Sequence, residues 1–360
     1  MLSALVASVF GSDAPVGAQP FGYERYAVFP GDAGSSLARG ISDRCDVTGA
    51  IVDASGVSHG FLFDGRTGSL LDVEGPEGTV GTTSLSVNNR GQVMAVADLS
   101  DGGFAYFTWF RGTPTTVAIP GGAEFLFAGP FNERGSFPAL AFESGFVNAR
   151  AWLFSGASSD PLELRALPGF SNIGAVQVNN RGQIVGFAGN AADTIEHAVL
   201  WRNFRADPID LGPISVDFDL LFLTDHGMIA SAANGNGQQA GGLVCFWNAN
   251  HRDPAATRKC YPGPEDSHEV RGLADTPGGG AMAVALAQDQ EGKFLSFLMD
   301  QDGHVEVLSR PAGGQALAEG INRSLSVAGI SIEANSDQTK AIVWIPAGQH
   351  HGPRCKPRQW

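Results

Sequence analysis

The chain has 360 residues, of which 43% are hydrophobic and 17% are charged, with 48 glycines and a formal net charge of -14. This apolar content supports a large core and excludes a disordered chain. The acidic field repels phosphate backbones and argues against a nucleic-acid partner; solubility accounts for it, and recruitment of a cationic ligand is the alternative.

Residues 1–20 precede the first predicted strand. No charged residue comes before Asp13, and residues 2–10 (LSALVASVF) have the length of a signal-peptide core, followed by small residues before Gln19. A signal peptide also begins with Lys or Arg, which this segment lacks. We expect a signal peptide or a disordered N-terminus here. The protein is then secreted or periplasmic, or cytoplasmic if the run is no signal. No other apolar run is long enough to span a bilayer.

From about residue 35 onward the chain carries a weak repeat of about 46 residues, a period that indicates an array of supersecondary units. Its clearest copy contains residues 178–186 (VNNRGQIVG), 197–201 (HAVLW) and 210–212 (DLG). Aligned on the Asn of an Asn-x-x-Gly turn, the seven units have their equivalent positions at Ser42, Asn88, Asn132, Asn179, Thr224, Ala274 and Asn322.

Each unit contains four short predicted strands separated by Gly, Asn, Asp and Pro, a pattern typical of all-β proteins. The Asn-x-x-Gly turn joins the first two strands, because Asn and Gly accept the positive φ of tight hairpins. Four antiparallel strands in each of seven units predict a seven-bladed β-propeller. The alternative is an open β-solenoid, which needs polar caps at both ends.

The seventh unit lacks a fourth strand, because its third strand runs into Pro346. Residues 26–31 (YAVFPG) match the fourth-strand pattern of residues 117–121 (VAIPG) and 165–169 (RALPG). We therefore expect an N-terminal strand at about residues 23–30 to complete the last blade, which removes both exposed sheet edges. The predicted propeller covers residues 21–346, and residues 347–360 form a C-terminal tail.

The repeat motifs resemble a known family. Besides the fourth unit, the first carries residues 40–42 (GIS) and 58–63 (SHGFLF), and the seventh carries 320–322 (GIN) and 341–344 (AIVW). These motifs resemble the HAF repeat of predicted extracellular bacterial proteins, although Val199 stands where the name-giving Phe is expected, and Thr224 and Ala274 replace the Asn. The resemblance implies a secreted or surface β-propeller. It carries no known activity and therefore transfers no catalytic residues.

The four cysteines form no C-x-x-C pair, so nothing supports a zinc or thioredoxin-type site. Cys245 and Cys260 fall on the third and fourth strands of one unit. Cys45 lies in the first unit and Cys355 in the tail, and these two places are adjacent in a ring. An even count with two plausible pairings predicts two disulfides and an oxidising compartment. Four free thiols are the alternative.

Two repeated residue types favour packing over ligand binding. His59 and His197 begin the third strands of their units, where we predict structural hydrogen bonds; a ring of ligating histidines is the alternative. Tryptophans also recur on the third strands and are expected to pack between sheets, with a carbohydrate-stacking platform as the alternative. They are Trp109, Trp152, Trp201, Trp247 and Trp344.

Charged residues gather on one side of the predicted central channel, which the first strands line. Three positions before the alignment point stand Arg39, Arg271 and Glu319, in units that are contiguous in a ring, whereas the other four units are uncharged there. Further charged or titratable residues on or near these strands are Asp217, Asp219, His268 and Glu269.

This cluster allows two interpretations. In the first, ion pairs from Arg271 to Glu319 to Arg39 fix the register of neighbouring blades, because charges on buried strands are costly unless paired. In the second, Arg39 and Arg271 hold an anionic group of a ligand, with Asp217, Asp219 and His268 nearby. Glu319 or Glu269 is then the candidate catalytic base.

No nucleophile elbow, H-E-x-x-H motif or phosphate loop occurs. The sequence therefore predicts a secreted binding or interaction module that recognises a small molecule, glycan or protein at the channel mouth. It predicts no metal and no cofactor, and we expect a monomer. The alternative function is an enzyme of the lyase, isomerase or cyclase type, transferring protons on an anionic substrate at the charged cluster.

Overall fold

The computed structural model describes residues 22–28, 34–143, 147–190, 196–214, 221–234, 242–264, 266–334, 336, 338–347 and 355. The strands in these ranges form seven four-stranded antiparallel sheets, and their one helix is the 3₁₀ helix Ala255–Thr257. No helix in this part of the chain has the length and apolar character needed to cross a membrane.

Each sheet is one blade, numbered here with its repeat unit, and its strands follow from the channel outward. Blades 1 and 2 are β2 (Ser35–Ile41), β3 (Val47–Val52), β4 (Ser58–Phe63), β5 (Leu70–Asp72), then β6 (Thr79–Val87), β7 (Val93–Leu99), β8 (Phe104–Phe110) and β9 (Thr113–Thr116). Blades 3 and 4 are β10 (Phe125–Ala128), β11 (Phe137–Glu143), β12 (Val147–Phe154), β13 (Leu162–Glu163), then β14 (Asn172–Val178), β15 (Ile184–Gly189), β16 (Glu196–Trp201) and β17 (Ile209–Ile214). Blades 5 and 6 are β18 (Phe222–Leu223), β19 (Met228–Asn234), β20 (Gly242–Asn248), β21 (Lys259–Pro262), then β22 (Asp266–Asp275), β23 (Ala281–Gln288), β24 (Phe294–Asp300) and β25 (Val305–Val307). Blade 7 is β26 (Gln315–Ile321), β27 (Val327–Ile332), β28 (Thr339–Pro346) and β1 (Tyr23–Ala27).

The N-terminal strand closes the ring. Strand β1 pairs antiparallel with β28, so that Tyr26 lies opposite Val343. The pairing continues through Val28, whose N–H donates to the carbonyl oxygen of Ala341 at 2.9 Å. The predicted seven-bladed propeller with N-terminal closure is therefore confirmed. Residues 29–30 of the predicted strand and residues 1–20 lie outside the described ranges.

The repeated Asn holds its own turn and joins neighbouring blades. The Oδ1 atom of Asn179 accepts from the N–H groups of Arg181 and Gln183, both at 3.0 Å. Its Nδ2 atom donates to the carbonyl oxygen of Thr224 in blade 5, at 2.9 Å. A side chain that satisfies three backbone groups at a buried position accounts for the repeat of Asn.

Units that depart from Asn keep part of this arrangement. Ser42 still accepts from the N–H of Asp46 at 3.1 Å through its hydroxyl, and Thr224 accepts from Met228 at 3.1 Å. In blade 6, where the position is Ala274, the hydroxyl of Thr276 accepts from Gly280 instead, at 3.0 Å. A hydroxyl or a displaced Thr can therefore hold the turn, which explains why the degenerate units still form blades.

The interior between blades is aromatic. Trp201, Trp247 and Trp344 are fully buried. Each donates its indole N–H to a carbonyl at or just after the outer strand of the preceding blade, and the acceptors are Arg165, Leu211 and Ser309 at 2.8, 3.2 and 2.8 Å. The predicted packing role is correct for these three tryptophans, because a buried indole cannot stack on a sugar.

Both predicted disulfides are present, and no cysteine is free. Cys245 and Cys260 are register partners on β20 and β21. Cys45 bonds to Cys355 and ties the tail to blade 1.

The repeated histidines make the predicted structural contacts. His59 pairs with Asp53, and His197 pairs with Asp210, each at 3.0 Å.

Candidate functional site

The structure brings four of the sequence-predicted channel residues together. Glu319 Oε2 lies 3.3 Å from Arg39 Nη1 and 3.7 Å from Arg271 Nη1. Glu269 Oε2 lies 2.5 Å from Arg271 Nη2. The ion pairs from Arg271 to Glu319 to Arg39 therefore exist as the first interpretation predicted. They cross from blade 6 through blade 7 to blade 1, and we call them, together with Glu269, the ion chain.

The ion pairs that these four side chains already make with one another limit the ligands that the ion chain can bind. Two guanidinium groups face two carboxylates, so an anionic ligand has to compete with Glu269 and Glu319. Burial raises the pKa of Glu269, Arg271 opposes that rise and Glu319 adds to it. The side chain of Glu319 is only 8% exposed, whereas that of Arg39 is 38% exposed. The arrangement suits a link between blades in which Arg39 is more exposed than Arg271, at 38% against 23%.

The remaining predicted residues are not placed. Asp217 and Asp219 lie outside the described ranges. The backbone of His268 belongs to β22, but its side chain is not described.

A polar rim surrounds the channel at the turn end of the inner strands. We define the rim as the residues that directly follow the seven alignment positions: Asp43, Asn89, Glu133, Asn180, Asp225, Asp275 and Arg323.

Rim side chains accept backbone N–H groups of the preceding blade. Asp43 N–H donates to Asn89 Oδ1 at 2.7 Å, and Glu133 N–H donates to Asn180 Oδ1 at 2.8 Å. Arg323 N–H closes the circle on Asp43 Oδ1 at 2.8 Å. The rim is thus occupied with inter-blade hydrogen bonds. In the described part of the chain, no group of three or more His, Cys, Asp or Glu side chains is arranged to hold a metal ion.

A cavity of about 520 Å³ lies where blades 2, 3 and 4 meet. We call it the aromatic cavity. It is lined by Tyr106, Phe127, Ala128, Gly129, Pro130, Leu140, Phe142, Ala149, Asn172, Ala175, Val176, Phe187 and Glu196.

Aromatic rings in edge contact form one wall of this cavity. The Tyr106 and Phe127 ring centroids are 6.2 Å apart, and those of Phe127 and Phe142 are 5.9 Å apart with planes at 88°. Phe127 is 39% exposed, which is unusual for a large apolar side chain at the centre of a ring cluster. A further ring, that of Phe187, lies where a Cβ on Gly174 would overlap it. The absence of a side chain at Gly174 therefore allows the Phe187 ring to take its place on the cavity wall.

Glu196 is the ionisable carboxyl among these apolar walls. Burial raises the pKa of Glu196 to about 7. Within the described ranges its carboxylate makes no hydrogen bond and no ion pair. Asn172 accepts the N–H of Ala149 at 3.1 Å through Oδ1, which leaves its Nδ2 available to a ligand. A large apolar cavity with a few convergent polar groups and one displaced pKa is the usual form of a small-molecule site.

Sequence reasoning did not find the aromatic cavity. The available signals were weak. Aromatic residues occupy every second position in one strand of the second unit and one strand of the third, namely Phe104, Tyr106, Phe125 and Phe127. Glu196 stands at the start of an otherwise apolar strand. The signals belong to non-equivalent positions of three different repeats, so alignment of the repeats does not bring them together.

Neither a protein-family model nor a curated protein matches this sequence. Solved structures do match. Oligogalacturonate lyase from Vibrio parahaemolyticus has a TM-score of 0.61 at 9% identity, over 92% of this chain and 99% of that one. Puromycin hydrolase has a TM-score of 0.58 at 12% identity, over 91% of this chain and 55% of that one.

TolB from Acinetobacter baumannii matches with a TM-score of 0.46 at 12% identity, over 65% of this chain and 55% of that one. The chain thus spans about half the length of TolB and of puromycin hydrolase. One fold hosts many activities, and identities this low transfer none of them. In architecture, this chain is a β-propeller similar to oligogalacturonate lyase and to part of puromycin hydrolase.

Proposed function

We propose that the protein is a ligand-binding β-propeller whose aromatic cavity takes up a small molecule with an apolar body. The observation that carries this proposal is the cavity of about 520 Å³ with Phe127 exposed on its wall. Cavities of 300 to 1,000 Å³ with apolar walls are the size and character that bind compounds of drug-like dimensions. Burial of the exposed ring by a ligand supplies the driving force.

The character of the walls favours a small molecule over the other two ligand classes that the sequence allows. A glycan needs many hydrogen-bonding partners, and the side chains here offer Asn172, Glu196 and the hydroxyl of Tyr106. A protein partner needs a broad face, whereas this site is concave and enclosed by three blades.

Localisation is part of the proposal. We propose a secreted or periplasmic protein of the HAF-repeat type. The pairing of all four cysteines supports an oxidising compartment, and the repeat motifs support the family.

The proposal is tested by a thermal-shift screen of small aromatic and aliphatic compounds, with uronic acids and other sugars in the same panel. A ligand that binds only the native state raises the melting temperature by mass action. We expect hits among the apolar compounds, and we expect Phe127→Ala to abolish their shifts. Phe110→Ala is the matched control, because Phe110 is 38% exposed and lies outside the cavity. Shifts that persist in Phe127→Ala would refute the proposal.

An enzyme acting on an anionic substrate at the ion chain is the second candidate. The partial exposure of Arg39 and Arg271, at 38% and 23%, favours it, because both cations remain accessible from solvent. A shift with uronic acids that Arg271→Gln abolishes, together with turnover that Glu319→Gln abolishes in a folded protein, would establish this candidate in place of the binding module.

A further inference from the structure

We propose that the aromatic cavity selects an organic ammonium ion with an apolar body, and that Glu196 is the counter-ion of the ammonium group. This inference rests on the proposed function and deepens it by naming the ligand class. It follows from what the cavity offers and from what it lacks.

Glu196 places an unpaired carboxylate on the cavity wall. In the described part of the chain, Glu196 has no hydrogen bond and no ion pair, although apolar walls surround it. An anion in such a place is costly unless a partner neutralises it. The adjacent His197 does not act as this partner, because its imidazole is bound to Asp210 at 3.0 Å. A ligand cation supplies the missing partner.

Aromatic rings line the cavity beside this carboxylate. Tyr106, Phe127 and Phe142 stand on the same cavity as Glu196. Aromatic faces attract cations, and the attraction is stronger where water is excluded. The same rings accept an apolar chain or ring. A cationic head beside Glu196 and an apolar body against Phe127 therefore satisfy both kinds of wall at once.

The described lining of the cavity contains no cationic side chain. None of the lining residues that the structure describes is Lys, Arg or His, so no side-chain cation there attracts an anionic ligand or competes with a ligand ammonium for Glu196. The net charge of -14 adds a field that draws cations to the protein and repels anions.

The test compares two probes of the same shape, 4-phenylbutylamine and 4-phenylbutan-1-ol, by isothermal titration at pH 8. We expect the amine to bind the wild-type protein at least tenfold more tightly than the alcohol. In Glu196→Gln we expect the Kd of the amine to rise at least tenfold and that of the alcohol to change less than twofold. Glu77→Gln is the control, because it removes the same charge from an exposed position outside the cavity.

The pH dependence gives a second readout. Tyr106 is the other titratable group on the cavity wall, and burial raises its pKa, so it stays neutral across the range used. Between pH 8 and pH 5 Glu196 becomes protonated, and the preference for the amine should shrink toward that of Glu196→Gln.

The outcomes separate the two proposals. Equal binding of amine and alcohol, with both lost in Phe127→Ala, overturns the ammonium inference and leaves the small-molecule cavity standing. Binding of the amine that survives Glu196→Gln also overturns the inference. If neither probe binds the wild-type protein, the inference fails, and the wider screen decides the function of the cavity.

Discussion

Asn322 in blade 7 donates its side-chain amide to the carbonyl oxygen of Ser42 in blade 1, at 2.8 Å. The two residues are 280 positions apart in the chain, yet their contact is the same one that joins Asn179 to Thr224 between adjacent units. The ring therefore closes with the bond that holds each blade to the next. The N-terminal strand β1 is the further feature that closes the ring, by completing blade 7.

The first prediction concerns this repeated Asn. Asn179→Ala should lower the free energy of unfolding by about 3 kcal/mol, because it leaves two N–H groups and one carbonyl without partners at a position that is 3% exposed. Asn179→Ser should cost about half as much, because Ser42 shows that a hydroxyl can hold the turn but does not reach the next blade. Urea denaturation of both variants measures the difference. Equal losses would show that the bonds within the turn contribute nothing, and a loss in Asn179→Ser close to zero would show the same of the inter-blade bond.

Much of the fold was accessible to sequence reasoning, since its causes are local and repeated. Asn179 and Gly182 predicted their hairpin from backbone preference alone, and Gly182 does adopt a φ of 79°. Closure followed from a missing fourth strand in the seventh unit. The ion chain followed because Arg39, Arg271 and Glu319 occupy equivalent positions in contiguous units.

The aromatic cavity could not be found in this way. Tyr106 lies on a third strand, Phe127 on an inner strand and Glu196 at the start of another third strand. Their meeting depends on how blades 2, 3 and 4 pack together, which no repeat position encodes. The proposed ligand site lies where the repeat units differ, and an alignment of what the units share therefore does not reveal it.

The second prediction concerns the disulfides. Cys45 and Cys355 are 310 residues apart, whereas Cys245 and Cys260 are 15 apart. Under the chain-entropy model a 15-residue loop contributes about 3 kcal/mol and a loop beyond 100 residues more than about 4.7. Replacing Cys45 and Cys355 by Ala should therefore lower the melting temperature more than replacing Cys245 and Cys260. The opposite order would show that the Cys245–Cys260 disulfide, which joins β20 to β21, stabilises the protein more than the Cys45–Cys355 disulfide does.

The third prediction addresses the ion chain. Glu319→Gln should destabilise the protein by about 1 to 3 kcal/mol, because it leaves two guanidinium groups without their shared carboxylate. Arg39→Gln should cost less, since Arg39 contacts one carboxylate and is 38% exposed, against 8% for Glu319. Denaturation midpoints give the order. Binding of apolar ligands at the aromatic cavity should be unchanged in both variants, and a loss of binding there would show that the two sites are coupled.

The last prediction uses the pKa of Glu196, which burial raises from its ordinary value of 4.5 to about 7. Between these two values the native protein holds a proton that the unfolded chain has released, so stability falls as the pH rises from about 4.5 to about 7. Because water still screens a half-buried carboxylate, the loss should amount to about 1 to 2 kcal/mol.

Glu196→Gln lacks this titration. The free energy of unfolding of Glu196→Gln minus that of the wild-type protein should therefore increase between pH 4.5 and pH 7 and level off near pH 8. Denaturant titrations of both proteins at pH 4.5, 6 and 8 would measure this difference. Glu77→Gln, at an exposed position, should follow the wild type at every pH. If the difference between Glu196→Gln and the wild type did not change with pH, a partner would already satisfy the carboxylate, and the unpaired anion on which the ammonium site depends would not exist.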